Sequence, residues 1–181
     1  MLHTTFRRVK EAAACIESYR KFAKFKGGVR KWGKDTPFGL DEVLGVCGLE
    51  GALWCLGIVI EPADKEIRLL ACDYAEHVLP IFEREYPKDK RPRQAIETSR
   101  RFAVGEATQE ELNTVRVMAW AAGITAWTAG AVAGDAAEAA GDAGDATRAA
   151  GNAAGAAGDA DWDAERKWEE KVFIKMLKVT E

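Results

Sequence analysis

Five prolines set the tightest frame on what this 181-residue chain can become. Proline fixes φ and lacks an amide donor, so it suits helix boundaries and costs about 3 kcal/mol in a helix interior. Pro37, Pro62, Pro87 and Pro92 fall where boundaries are expected, beside apolar stripes of helical spacing. Pro80 is the exception: in "AEHVLPIFE" it stands inside such a stripe and predicts a kink or local break. The segments so delimited read as helices. A first runs from about Leu2 to Phe25 and stops at Gly27-Gly28, before the loop "GGVRKWGKDTPFG". A second covers about Leu40–Val59, with Val43, Leu44, Cys47, Leu53, Trp54 and Leu56 turned to the core. A third opens at Pro62, with Asp64 as N-cap, and carries Ile67, Leu70, Tyr74, Val78, Ile81 and Phe82 at helical spacing. The helix after Pro92 carries Ile96 and Phe102. Thr108 and Glu111 have the spacing of a capping box, ahead of a helix bearing Val115, Met118, Trp120 and Ile124. A last helix, about Asp161–Val179, presents Trp168, Val172, Phe173 and Met176. The expectation is an all-α fold, one domain over residues 1–181, built as a bundle of about six to eight helices.

Residues 119–160 contain twenty Ala and eight Gly. The glycines, at 123, 130, 134, 141, 144, 151, 155 and 158, are separated by 7, 4, 7, 3, 7, 4 and 3 residues, the period of a heptad seam. Small residues in such a seam let helix backbones approach closely. Each mid-helix Gly costs about 1 kcal/mol relative to Ala. The segment is therefore expected to be one or two packed helices, broken near Gly141–Gly144 or Gly151–Gly158, and a homodimer is the assembly such a seam favours.

Apolar residues make up 48% and charged residues 30%, a globular balance. The longest apolar run, "GALWCLGIVI", is ten residues, short of the roughly 18 a membrane span needs. "MLHTTFRRVKEAAACIESY" has no apolar signal core, so a cytoplasmic location is expected. Cys15, Cys47, Cys55 and Cys72 form no C-x-x-C pair and sit among apolar residues, which reads as reduced, buried thiols. With no histidine near Cys47 and Cys55, and no calcium-loop pattern in "DWDAE", neither metal nor cofactor is expected. The net charge of −3 conceals an asymmetry. Residues 1–34 carry ten Lys or Arg against two Glu, and residues 41–86 carry ten acids against three bases. The split argues for oppositely charged folding partners or faces.

Common catalytic signatures are absent. Asp73 and His77 share a helix face, with Glu76 beside them, and are the weak catalytic candidates; a structural hydrogen bond is the more ordinary reading. His3, near the N-terminus, carries no expected role. "RKFAKFKGGVRKW" interleaves bases with Phe22, Phe25 and Trp32, as nucleic-acid binders do, but the acidic balance elsewhere argues against that partner. The richest stretch is "PKDKRPRQAIETSRR". Pro92 there suits a first helical turn, placing Arg91 and Arg93 at a helix N-terminus that favours anions. Glu97 stands four residues from both Arg93 and Arg101. Arg91, Arg93, Arg100 and Arg101, with Trp32, are the candidate ligand- or partner-binding residues. Asp73, Glu76, Asp89 and Glu97 are the expected structural network, with Arg91 and Arg93 tying their helix to Asp73 and Glu76.

Residues 69–108, "LLACDYAEHVLPIFEREYPKDKRPRQAIETSRRFAVGEAT", resemble the immunity-protein domain of the fifth-type-like class, found in bacterial toxin–immunity loci and phage genomes. The pattern "AE-x-V-L-P" followed by "D-x-R-P-R-x-A-I-E" matches Cys72, Asp73, Ala75, Glu76, Leu79 and Pro80, then Asp89, Arg91, Pro92, Arg93, Ala95, Ile96 and Glu97. The Ala-rich stretch downstream and the closing "ERKW", Glu165–Trp168, are similar to the family's habit, although its long helix is usually rich in Ala, Arg and Trp rather than Gly. The resemblance implies an all-helical binding protein without catalysis, whose partner is a protein toxin or defence effector of the immunity or phage anti-defence type. Two other readings stand beside it. One is a sponge that sequesters a phosphorylated nucleotide second messenger through the arginines. The other is a hydrolase-type enzyme using Asp73 and His77.

Overall fold

The computed structural model describes residues 1–125 and 162–179. Their fold is all-α, with eight α-helices and one two-stranded sheet. The described residues fall into two compact units, Met1–Ala63 with Ile174–Glu181, and Asp64–Phe173. The Gly/Ala-rich segment lies, from residue 126 on, outside the described residues, as does Asp161, the expected cap of the last helix.

In the first unit the expected helix over Leu2–Phe25 is replaced by three elements. Strand β1 (His3–Thr4) pairs antiparallel with β2 (Phe38–Gly39), in the register His3 to Gly39 and Thr4 to Phe38. Helix α1 (Phe6–Glu11) follows, its Arg8 amide donating to Thr5 Oγ1. Ala13, at φ +55°, then breaks the chain before α2 (Ile16–Phe25). The reason is the backbone ledger at the N-terminus: the Leu2 carbonyl accepts from Leu40, the His3 carbonyl from Ile60, and Thr4 Oγ1 donates to the Ile58 carbonyl. Helical bonding would forfeit all of these. His3 has a role the sequence did not suggest. Its ring and its amide both meet the Glu61 carboxylate, at 2.7 and 2.8 Å. A four-residue helix, α3 (Val29–Trp32), occupies the expected loop. The aromatic core is Phe6, Phe22 and Phe38, with ring centroids 4.6–5.9 Å apart.

Helix α4 (Leu40–Cys55) matches the expected second helix with one interruption. Gly48 sits at φ 77°, ψ −179°, a conformation open essentially to glycine alone. The Glu42 side chain closes the helix start on the Gly39 amide, and a single 3₁₀ turn, Leu56–Ile58, ends it.

In the second unit, α5 (Asp64–Glu85) runs unbroken through Pro80. Pro80 is exposed, so the carbonyl of Glu76 that lost its amide partner is on the solvated side and no break follows. Ile67, Leu70, Tyr74, Val78, Leu79 and Phe82 form the buried stripe. Helix α6 (Arg91–Ala103) has Pro92 in its first turn, and α7 (Gln109–Thr125) starts with the expected capping box: Glu111 N–H donates to Thr108 Oγ1 and Thr108 N–H to Glu111 Oε2. The last helix, α8 (Trp162–Val179), buries Phe173 completely. Among the described residues no helix is long and apolar enough to cross a membrane.

Two glycines of α4 separate the contributions of space and backbone. A methyl group at Gly45 meets open space, as it does at Gly48, where the backbone is the obstacle. Gly48→Ala should lower stability by about 1–3 kcal/mol, while Gly45→Ala should raise it by about 0.4–1 kcal/mol. Urea unfolding of the two variants checks both signs.

Candidate functional site

The arginine cluster lies in the second unit and is bound to carboxylates. Arg93 forms a bidentate pair with Glu83 of α5, Nε to Oε1 at 2.7 Å and Nη2 to Oε2 at 2.6 Å. Lys90 approaches the same carboxylate at 3.5 Å. Arg100 reaches two acids with one nitrogen: Nη2 donates to Asp73 Oδ1 at 2.7 Å and to Glu76 Oε2 at 2.6 Å. The bridge to Asp73 and Glu76 expected of Arg91 and Arg93 is thus made by Arg100. Arg91 folds back locally, its Nε, Nη2 and backbone amide all donating to Asp89. Arg101 donates to the Glu106 carbonyl and lies 3.5 Å from Glu111. The side chain of Glu97 faces solvent and acts on Arg93 only as a nearby charge.

The order of these pairs, Glu83 with Arg93 and then Glu76 and Asp73 with Arg100, shows that α5 and α6 run antiparallel as a hairpin. Hydrogen bonds from Arg93 hold the Glu83 carboxyl below its usual range, and those from Arg91 do the same for Asp89. Beneath the charges, Cys72 Sγ points to the Ile96 carbonyl at 3.9 Å, and burial pushes its thiol up to about 11. Arg68, also buried, lies over the Phe102 ring at 5.0 Å.

Asp73 and His77 have different partners. While Asp73 serves Arg100, the His77 ring stacks on Trp168 of α8 at 3.7 Å between centroids, and its Nε2 lies 3.0 Å from Glu165 Oε2. Tyr74, one turn away, donates its hydroxyl to the Glu169 carbonyl at 3.0 Å. Glu165 and Glu169 are buried, and each leaves its Oε1 without a hydrogen-bond partner. Glu169 Oε2 accepts from Arg166 at 2.9 Å. In the sequence Glu165 stands out only within "DWDAE" and "ERKW" and Glu169 not at all, because both sit among charged neighbours, where burial leaves no local signal. Burial raises both carboxyls, that of Glu169 to about 7 against the opposing pull of Arg166.

Trp32 belongs to the first unit. The buried Lys26 ammonium sits over its ring at 3.7 Å, near Phe22 and Phe25 and in an ion pair with Glu42. The aromatic–basic stretch is therefore partly a cation–π contact within the fold.

A model of the family described as "Imm-5 like putative immunity protein" matches residues 60–169, well over half of the chain. The chain belongs to that family. The match nearly coincides with the second unit, Asp64–Phe173, so the α5–α6 hairpin with its arginines and the α8 segment with Trp168 are the Imm-5 like part of the molecule. No curated protein and no solved structure matches the chain.

The buried acids set a pH dependence. A carboxyl raised from 4.5 to about 7 on folding favours the protonated native state, so its contribution is full below about 4.5 and is lost as pH rises through about 7. The loss for Glu169 is on the order of 3 kcal/mol at most. Urea midpoints should fall between about pH 5 and about pH 8 in the wild type, and fall much less in Glu169→Gln.

Proposed function

We propose that the protein is a non-catalytic inhibitor that binds and neutralises a protein toxin or defence effector. The observation that carries this reading is membership of the Imm-5 like immunity family, matched over nearly all of the second unit. The chemistry of that unit supports it. Its four candidate arginines are all held by carboxylates or a backbone carbonyl, so a phosphorylated nucleotide would have to displace those partners to be bound by them. Displacing a formed charge pair lowers the net gain from any new one. Asp73 and His77 are engaged with Arg100 and with Glu165 and Trp168, which does not compose an acid–base pair around a shared substrate position.

Binding to a toxin needs no reactive group, only a complementary surface. Co-expression with a panel of bacterial toxin domains provides the test. The expected result is rescue of growth against at least one toxin, with a stoichiometric complex on size-exclusion chromatography in nucleotide-free buffer. Rescue by no toxin, together with micromolar binding of cyclic or NAD-derived nucleotides in calorimetry, would overturn the proposal in favour of sequestration.

A further inference from the structure

The first unit contains a cavity of about 220 Å³ whose lining residues all lie outside the family-matched stretch. Its walls come from three helices. Phe6 and Val9 of α1, Tyr19 and Phe22 of α2, and Val43 and Trp54 of α4 supply most of the apolar lining. The residues lining it include no Lys, Arg, Asp or His, and Glu50 is the one carboxylate. Two features of the backbone open it. Ala13, in the left-handed region, turns the chain so that Ala14 and Cys15 form one edge. Gly48 interrupts α4 between the lining residues Cys47 and Gly51. A continuous α1–α2 helix and a straight α4 would place these residues differently. The mouth carries Cys15, an exposed thiol, and Trp54, 37% exposed, so the cavity communicates with solvent.

We propose that this cavity is a binding site for a small uncharged aromatic molecule of about two fused rings. The size follows from volume: an apolar cavity of about 150 Å³ stays dry and takes benzene, and this one is larger by roughly half. The class follows from the lining. Aromatic walls favour a planar apolar ligand through stacked and edge-on contacts, and the lining residues include no Lys, Arg or His to receive an anion. The ligand is thus chemically unlike the phosphorylated nucleotides considered for the arginines, and the lining residues all lie outside the stretch that matches the immunity family.

Cys15 supplies a built-in reporter. The backbone amides of Ser18 and Glu17 favour its thiolate, whereas burial disfavours that of Cys47. Alkylation by iodoacetamide, resolved by peptide mass spectrometry, therefore reads occupancy at the mouth. Indole is the probe, with benzoate and N-acetyl-tryptophanamide as controls. The full chain should bind indole saturably by ligand-observed NMR, with a dissociation constant below about 1 mM, and bound indole should slow Cys15 alkylation several-fold. Cys47→Met and Ser18→Leu enlarge neighbouring lining residues on α4 and α2, where Cys47 Sγ lies 3.7 Å from the Ser18 carbonyl, and so fill the cavity. Either should weaken indole binding by about tenfold or more, with an unchanged circular dichroism spectrum confirming the fold. Absence of saturable binding, or indole affinity unchanged in both folded variants, would overturn the proposal. Benzoate binding as tightly as indole would overturn the uncharged class. N-acetyl-tryptophanamide binding as tightly would overturn the small-molecule assignment in favour of a partner's aromatic side chain.

Discussion

The antiparallel pairing of α5 with α6 is the constraint on which the second unit depends. Its close approach is allowed by small buried residues, Ala71, Cys72 and Ala75 on one helix and Ala95 and Ser99 on the other. Leu79 and Ile96 fill the remaining apolar space. Over this seam Arg93 and Arg100 fix the register, because a guanidinium that donates to two carboxylate oxygens accepts little sliding. The pairs are half-exposed, so each adds no more than about 1 kcal/mol, and the apolar burial beneath them carries most of the stability. What the arginines add is specificity of alignment. That alignment brings Tyr74 and His77, on α5, to the face met by Trp168 and the two buried glutamates of α8.

Much of this was legible before any coordinates. Helical stripes give α5 to α7 within a few residues, and Thr108 with Glu111 announces its cap by spacing alone. The basic stretch was recognisable as a helix start with internal charge pairing. Which arginine meets which acid was not, since that depends on the phase between two helices, and a sequence gives the phase of each only relative to itself. The N-terminal third was misread for a related reason. Its helical period is genuine in α1 and α2, but strand β1 is two residues long and is decided by partners at residues 38–40 and 58–61. A non-glycine residue at positive φ, Ala13, leaves no trace in composition. The cysteines show the same limit: Cys55 and Cys72 are buried as expected, whereas Cys15 is exposed at the start of α2.

The two units also divide their chemistry. In the first, mostly apolar and aromatic residues line a cavity with Glu50 as its one carboxylate, and one lysine is taken inward against Trp32 and Glu42. In the second, the family-defining part, arginines and acids neutralise each other at the surface while two glutamates are buried with unmatched oxygens. Unpaired buried carboxyl oxygens are costly when ionised, which links the α8 face to pH. This is a unit whose charged groups mostly hold its own helices.

Arg100 is the alignment clamp between α5 and α6. A double-mutant cycle between Arg100→Ala and Asp73→Ala, read by urea unfolding, tests this role most directly. The expected result is a favourable coupling of about 0.5–1 kcal/mol between the two side chains. A coupling of zero, with Arg100→Ala leaving stability unchanged, would contradict this role.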